Sequence, residues 1–337
     1  MEKTTVPVYV KSQRVSEEKI GRIARVNGES FVIWDEQKSY VSQVSGKFRY
    51  ESNEWPIIGD WVVHEPHSND QAIIHKVLNR KTVLYRKEPG TLHQKQMIAA
   101  NIDSVFIVTA LTNDFNLQRL ERYVLQAYES GAKPIIICTK SDLVENTAEY
   151  RAEIENYIPA VPVYVISSFD GNGMEDFMSE LKSGETYALI GSSGVGKSTL
   201  INQLLGQDVL LTNQVREQDG KGRHTTTHRE MFLLPNGSFV MDTPGMREIQ
   251  VWGESESLDL SFSDIDQLAG NCKFRDCEHN EEPGCAVQGA ISNGSMTIAR
   301  LKSYHKLTRE LERLELKEKY GAHRTNRLLH SPNSKKF

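Results

Sequence analysis

One eight-residue stretch limits most strongly what this chain can fold into. Residues 191–198 read GSSGVGKS and match the pattern G-x-x-x-x-G-K-[ST] in full. A strand-like run precedes them and a helical run, TLINQLLG, follows, which is the setting in which this pattern wraps the phosphates of a nucleotide. Lys197 would reach the β- and γ-phosphates, and the Ser198 hydroxyl would ligate Mg²⁺. The candidate phosphate-binding residues are Gly191, Ser192, Ser193, Gly194, Val195, Gly196, Lys197, Ser198 and Thr199.

A second phosphate-sensing motif follows about forty-five residues later. Residues 242–245 read DTPG and have the form D-x-x-G at the end of a strand-like run. We expect Asp242 to hold Mg²⁺, directly or through water, and the N–H group of Gly245 to sense the γ-phosphate. Between the two motifs, residues 222–227 read GRHTTT, a polar segment suited to be a mobile Mg²⁺-sensing loop. One threonine of this loop, with Thr226 as the candidate, would complete the metal shell.

A third motif concerns the choice of base. Residues 139–142 read TKSD, which resembles the N-K-x-D guanine motif with threonine in place of asparagine. The Asp142 carboxylate accepts hydrogen bonds, and guanine offers two donors, N1–H and its amino group, whereas adenine offers neither at that edge. Lys140 would lie along the base plane, and the small residues 167–168 would contact the guanine O6. The candidate base-binding residues are Thr139, Lys140, Ser141, Asp142, Ser167 and Ser168.

The order of the motifs and the spacing of apolar runs predict three domains. Residues 89–255 alternate apolar strands with helical stretches, which is typical of a parallel sheet covered on both faces. The base motif precedes the phosphate loop, so this α/β domain would be circularly permuted. Residues 1–88 contain about five short strands without a useful length of helix, and they predict an OB-fold barrel. Such a barrel binds RNA in some proteins and only supports a neighbouring domain in others.

The remaining region, residues 256–337, combines a helical pattern with a cluster of metal-ligand residues. Cys272, Cys277, His279 and Cys285 offer three thiolates and one imidazole, the ligand set of a closed structural Zn²⁺ site with one ion per chain. No ligand position would stay open for water, so we expect no catalysis at the metal. Cys138, inside an apolar strand, is interpreted as a core residue.

Composition and charge restrict the cellular setting and the partners. The net charge of −5 argues against a protein that simply coats nucleic acid. Residues 300–337, however, carry eleven lysines and arginines against four glutamates, which indicates either a local contact with a polyanion or a solvated helix face. No apolar run approaches the length of a membrane span, and the cysteine pattern suits a reducing compartment. We expect a cytoplasmic monomer without a membrane partner.

Taken together, these motifs resemble the RsgA (YjeQ) family of circularly permuted GTPases, which act in maturation of the small ribosomal subunit. The resemblance rests on KQMIAANID at 95–103, TKSD, GSSGVGKST, GRHTTTHRE, DTPGMRE and CKFRDCEHNEEPGC, and it covers nearly the whole chain. It implies an OB-fold, a zinc-binding helical domain, hydrolysis of GTP to GDP, and the small ribosomal subunit with its rRNA as partner.

Two further expectations concern hydrolysis. Met246 follows the D-x-x-G motif where many GTPases have a glutamine that orients the attacking water, so intrinsic hydrolysis should be slow. His224 is the internal candidate for that role, as the resemblance also implies. Two alternatives remain open: a GTP-dependent RNA-binding scaffold with incidental hydrolysis, and a P-loop ATPase with a zinc nucleic-acid module.

Overall fold

The structure is a computed structural model of the 337-residue chain. It describes residues 6–13, 17–52, 54–87, 95–112, 115–210, 229–243 and 255–320. None of the helices in these ranges combines the length and the apolar composition that crossing a membrane requires.

The N-terminal part of the chain forms a closed five-stranded barrel of the OB type. Its strands are β1 (Lys19–Asn27), β2 (Ser30–Trp34), β3 (Ser39–Val44), β4 (Trp61–Pro66) and β5 (Gln71–Val77). They pair in the order β1-β2-β3-β5-β4, and a β1–β4 pairing closes the ring. Only β3 and β5 run parallel. The prediction of a small closed barrel is therefore confirmed.

Short sequence segments determine the turn and the helices of this barrel. A tight turn joins β1 to β2, where Asn27 pairs with Ser30 and Gly28 has a φ of 59°. Two short helices, α1 (Val8–Lys11) and α2 (Gly46–Glu51), were not predicted, because elements of four and six residues are too short to show a helical period. Ser45 caps α2 by accepting a hydrogen bond from the Phe48 N–H.

The central domain is built on five parallel strands. These are β8 (Ser104–Ala110), β9 (Lys133–Thr139), β10 (Val163–Val165), β11 (Thr186–Ile190) and β13 (Phe239–Asp242), in the order β10-β9-β8-β11-β13. The helices are α3 (Leu117–Glu129), α4 (Thr147–Tyr157), α5 (Met174–Ser179) and α6 (Lys197–Leu205), with a 3₁₀ turn at Ser141–Leu143. One apolar cluster lies on each face of the sheet, as the near-continuous apolar strands predicted.

The sheet differs from the prediction at its edge. Strand β12 (Arg229–Leu233) runs antiparallel to β13 and also pairs with β1, so the barrel and the central sheet share one continuous ladder. A separate hairpin, β6 (Val83–Lys87) with β7 (Lys95–Ala100), stands where the sequence predicted a domain boundary near residue 88. The domain boundaries at 88/89 and 255/256 remain predictions.

The C-terminal domain is helical, as predicted. It contains α7 (Ser255–Ser261), α8 (Ser263–Ala269), α9 (Ala286–Ser292) and α10 (Ile298–Tyr320). Along α10, the apolar residues Leu301, Leu307 and Leu311 are buried, whereas Ile298 is exposed. The core of this domain extends to Leu125 on α3, so the helices pack directly against the central domain.

Candidate active site and metal centre

The predicted phosphate loop connects the end of β11 to the start of α6. Gly191 directly follows the strand with a φ of 146°, and a Cβ there would lie 2.2 Å from the Val108 carbonyl oxygen. Gly194 and Gly196 also have positive φ values, of 80° and 102°. Only glycine combines such dihedral angles with the close approach to β8. The loop conformation therefore follows directly from the glycines of the motif.

The Lys197 side chain folds back over this loop. Its Nζ donates hydrogen bonds to the carbonyl oxygens of Gly191, at 2.8 Å, and Ser192, at 2.6 Å. Lys197 is also the first residue of α6, whose N-terminal N–H groups and dipole favour an anion. Ser193 and Gly194 at the tip of the loop are exposed, while Val195 is buried beneath it. A positive group and a helix N-terminus thus share one accessible loop, which is what a phosphate chain requires.

Asp242 lies beside the phosphate loop as its motif predicted. It ends β13 and is the register partner of Leu189 on β11, two residues before Gly191. The buried Thr243 fixes this end of the strand, because its hydroxyl donates to the Leu189 carbonyl oxygen. The remaining predicted switch residues, His224, Thr226 and Gly245, lie outside the described residues, as does Met246.

Thr139 joins the base motif to the phosphate loop. Its buried Oγ1 lies 2.5 Å from the Val195 carbonyl oxygen and 3.1 Å from that of Thr109 on β8. The single hydroxyl proton can be donated to either carbonyl. The residue that departs from the N-K-x-D pattern therefore still links its own strand end to the loop, and the structure gives it this bracing role.

Asp142 and Ser167 meet at the same edge of the sheet. The Ser167 hydroxyl donates to Asp142 Oδ1 at 2.8 Å and accepts from the backbone N–H groups of Phe169 and Asp170. Lys140 adopts a left-handed conformation, with a φ of 61°, at the start of the 3₁₀ turn that carries Asp142. Asp142 is exposed on this turn, so its outer carboxylate surface can accept hydrogen bonds from a ligand.

Two other predicted base residues have backbone roles. The Ser141 N–H donates to the Ile166 carbonyl oxygen at 3.3 Å, which ties the TKSD turn to the segment after β10. The Ser168 carbonyl oxygen accepts from Gln203 Nε2 on α6 at 3.1 Å. Gln203 was not predicted, since nothing in its local pattern distinguishes it from any other polar residue on a helix surface. The bond connects the base-binding loop to the helix that carries the phosphate loop.

The four predicted metal ligands come together between α8 and α9. The ligand atoms of Cys272, Cys277, His279 and Cys285 all lie within 4.8 Å of one another. Cys272 Sγ is 3.9 Å from Cys285 Sγ, and His279 Nδ1 is 3.7 Å from Cys272 Sγ and 3.5 Å from Cys285 Sγ. Tetrahedral zinc with bonds of ~2.3 Å to sulfur and ~2.0–2.1 Å to nitrogen separates such atoms by about 3.6–3.8 Å. The cluster fits one structural zinc ion.

The backbone beside the cluster supports a thiolate at Cys272. Burial acts to raise the pKa of Cys272, but the N–H groups of Ala286 and Val287 oppose it and the pKa is lowered. Cys285 caps α9 by accepting from the Gln288 N–H, so its sulfur also faces a helix N-terminus. Burial lowers the pKa of His279, which favours the neutral imidazole that binds metals. Cys138 is fully buried in β9, and burial raises its pKa to about 12, in keeping with the predicted core role.

A buried arginine that sequence reasoning did not identify joins the central domain to the helical domain. Arg300 on α10 is 1% exposed and donates to Glu121 on α3 at 3.1 Å. It also forms a two-point ion pair with Asp264 and donates to the Ser261 carbonyl oxygen at 2.6 Å. No local sequence pattern distinguishes Arg300 from the other basic residues of α10, so the sequence offered no signal for its burial.

The fold and the geometry of the site identify the class of protein to which this chain belongs. A phosphate loop, an aspartate at the adjoining strand end and a TKSD turn braced against that loop form the site of a P-loop GTPase. The base motif precedes the phosphate loop along the chain, so this GTPase is circularly permuted.

Comparison with known proteins gives the family. The sequence profile described as RsgA GTPase matches residues 77–252. A protein of Listeria monocytogenes called "Small ribosomal subunit biogenesis GTPase RsgA 2" is 42% identical over 306 residues, which span 90% of this chain and 87% of that protein. A relative from Methanosarcina acetivorans, called "Small ribosomal subunit biogenesis GTPase RsgA", is 46% identical over 271 residues, or 80% and 73% of the two chains. The chain belongs to the RsgA GTPase family.

Solved structures agree with this assignment. YjeQ from Thermotoga maritima aligns with a TM-score of 0.67 at 25% identity, over 87% of this chain and 98% of that one. YloQ, described as a circularly permuted GTPase, aligns with a TM-score of 0.67 at 26% identity, over 89% and 98%. The chain therefore binds guanine nucleotides and hydrolyses GTP to GDP and phosphate, as the predicted resemblance implied.

Proposed function

We propose that this GTPase binds the small ribosomal subunit through its rRNA and that its GTP cycle times a late step in maturation of that subunit. The observation that carries this proposal is the name of relatives that match over 90% of the chain, "Small ribosomal subunit biogenesis GTPase". The protein would act as a monomer in the cytoplasm, where such subunits mature.

The connection between β13 and α7 supports a switch role. Residues 243–254 alone separate the strand that ends at Asp242 from the helix that begins at Ser255. α7 packs in the C-terminal core, and Arg300 binds its last carbonyl group, at Ser261. A structural change at the γ-phosphate would therefore reach the helical domain through a short segment of chain. The helical domain is where we expect the GTP cycle to act.

Both metals have assigned residues in this proposal. Ser198, Asp242 and Thr226 would hold Mg²⁺ together with the nucleotide, and the ion would neutralise phosphate charge. One Zn²⁺ per chain would be held by Cys272, Cys277, His279 and Cys285 and would stabilise the helical domain. His224 would position the attacking water.

The competing functions differ in what the site selects. A P-loop ATPase is disfavoured because the exposed Asp142 carboxylate offers only acceptors, and an adenine edge would leave it unpaired. A GTP-dependent scaffold would share the same site and would differ in whether hydrolysis changes its binding to RNA.

Filter binding of the full-length protein to purified small subunits tests the proposal. We expect tight binding with a non-hydrolysable GTP analogue and weaker binding with GDP, because the γ-phosphate is the only difference that the switch segments can read. Large subunits serve as the control for general RNA affinity. Equal retention with the two nucleotides would favour the scaffold, and retention of neither subunit would contradict the proposal.

A further inference from the structure

The exposed face of α10 carries a row of basic side chains. At 100° per residue, its members fall within an arc of about 100° on the helix. Together with Glu310 and Leu314 they line one surface groove. The members of this α10 basic row are Lys302, His305, Lys306, Arg309 and Arg313.

The row has a fixed orientation. The opposite side of α10 is buried through Leu301, Leu307 and Leu311, and Arg300 holds the start of the helix against α3. His305 Nε2 donates to the Glu278 carbonyl oxygen in the zinc-ligand loop at 2.8 Å. The helix therefore cannot rotate its basic face away without breaking its core, and the cations are presented on a rigid support.

From Lys302 to Arg309 the helix carries four basic side chains and no acidic one, which differs from an ordinary solvated helix face. On such a face, acidic and basic residues alternate and form pairs along the helix. Here the acidic residue of the groove, Glu310, is already neutralised by Arg122 on α3, at 2.8 Å. Lys302, Lys306 and Arg309 stand together and exposed on the remaining face. The row thus presents a concentrated positive surface.

We propose that the α10 basic row binds the phosphate backbone of double-stranded RNA. The choice of RNA rests on the proposed function, whereas the position and charge of the surface come from the structure. At 1.5 Å per residue, the row from Lys302 to Arg313 extends over about 16 Å. Its exposed cations are spaced by about 4.5–6 Å along the axis, which suits contact with several consecutive phosphates.

The composition of the groove favours a nucleic-acid backbone over the alternatives. Protein interfaces are depleted in lysine at their centres and anchored by apolar or aromatic residues, whereas this groove has Leu314 as its apolar member. The groove has no aromatic residue besides His305 within the described chain, so it lacks a platform on which unpaired bases could stack. Residues 321–337 are themselves basic and contain no acidic residue, so they would be repelled by the row.

The test compares two charge-reversal variants of the full-length protein. Lys302→Glu/Lys306→Glu alters the row. The control variant, Lys133→Glu/Lys182→Glu, makes the same change at two exposed lysines of the central domain. Lys133 is the first residue of β9, and Lys182 lies shortly before β11. Binding of a fluorescein-labelled RNA duplex of 20 base pairs is followed by anisotropy at several salt concentrations. Basal GTP hydrolysis and zinc content, measured on both variants, report on folding.

We expect the row variant to bind the duplex roughly tenfold more weakly and to lower the slope of log affinity against log salt by about 2, since each lost phosphate contact removes about one unit. The control variant should match the native protein. An unchanged affinity and salt slope in the row variant would overturn the proposal. Polyglutamate serves as a second probe, an acidic peptide. A row variant that bound polyglutamate more weakly than the native protein and bound the duplex equally well would also overturn the proposal, because the row would then be a protein-docking surface.

The proposed function can fail separately. If small subunits were not retained by the native protein with either nucleotide while duplex binding still depended on Lys302 and Lys306, the ribosomal assignment would be wrong and the RNA surface would stand.

Discussion

The nucleotide site and the metal centre of this protein are built in opposite ways. The nucleotide site joins Thr139, Ser167, Gly191 and Asp242, which end or follow different strands of one sheet. The metal centre takes all four ligands from the fourteen residues between Cys272 and Cys285. The first therefore depends on the central fold being complete, and the second needs only a short loop and the start of one helix.

The two centres also differ in how far they are prepared for their ligands. The Cys₃His ligand atoms already lie at separations close to those around tetrahedral zinc. In the nucleotide site, Lys197 instead binds two carbonyl groups of its own loop and must exchange them for phosphate oxygens. A closed, partly buried centre suits stabilisation, whereas an open centre that rearranges suits a switch.

The largest effect should come from removing a zinc ligand. Cys285→Ala should lower the zinc content from about one ion per chain to near zero and unfold the helical domain, because binding of structural zinc contributes on the order of 10 kcal/mol to folding. Elemental analysis and thermal unfolding measure the two effects. Cys138→Ala, at a buried cysteine outside the cluster, should keep its zinc. If both variants retained zinc, the metal assignment would be wrong.

The next largest effect should come from breaking the ion pair that joins the central domain to the helical domain. Arg300→Met leaves Glu121, which is 2% exposed at its side chain, without its cationic partner. Burial already raises the pKa of Glu121, and loss of Arg300 should raise it further. Breaking a buried ion pair costs about 3–5 kcal/mol in unfolding free energy. The exposed pair Arg151–Glu155 provides the control, since Arg151→Met should cost less than about 1 kcal/mol in denaturant unfolding. Equal losses would contradict the bridging role of Arg300.

Base selection should depend on Asp142 alone among the motif side chains. Asp142→Asn should weaken GTP binding by about 2–5 kcal/mol, because the amide no longer accepts from both guanine donors. The variant should gain affinity for xanthosine triphosphate, whose C2 carbonyl can accept from the new amide group. Competition titrations with GTP, ATP and xanthosine triphosphate measure this change. A native protein that bound ATP as well as GTP would refute guanine selection.

The smallest effect should come from the brace between base motif and phosphate loop. Thr139→Val keeps the shape of the side chain and removes its hydroxyl, which leaves the Val195 carbonyl oxygen without that partner. Affinity for GTP should fall by about 1–2 kcal/mol, the typical cost of such a loss. Thr139→Ser retains the hydroxyl and should bind GTP nearly as well as the native protein. If the valine and serine variants bound equally, the hydrogen bond would have no role in binding.

The sequence predicted the parts of the molecule that are encoded locally. The phosphate loop, the TKSD turn and the cysteine cluster each lie within fourteen residues, so their chemistry is visible without a fold. The barrel and the parallel sheet followed from hydrophobic periodicity. Gly28, at a positive φ in the β1–β2 turn, shows the same kind of local signal.

Contacts between distant segments could not be predicted in the same way. Glu121 and Arg300 are separated by 179 residues, and no local pattern distinguishes them from the other charged residues of their helices. The pairing of Arg25 with Glu230 across β1 and β12 is likewise a consequence of how two domains meet. The bracing role of Thr139 required the position of Val195, which the fold alone supplies.

Steady-state phosphate release, with and without purified small subunits, tests the proposed role at the small subunit most directly, because we expect the subunit to activate the slow intrinsic hydrolysis. Met246 follows the D-x-x-G motif at the sequence position where many GTPases have a glutamine, so we expect the protein alone to turn over well below the ~10 per second of a typical enzyme. Small subunits should raise the rate strongly, and this activation should fall with salt because phosphate contacts release counterions. His224→Ala should lose the activated rate and keep its affinity for GTP. Equal rates with and without small subunits would contradict the account.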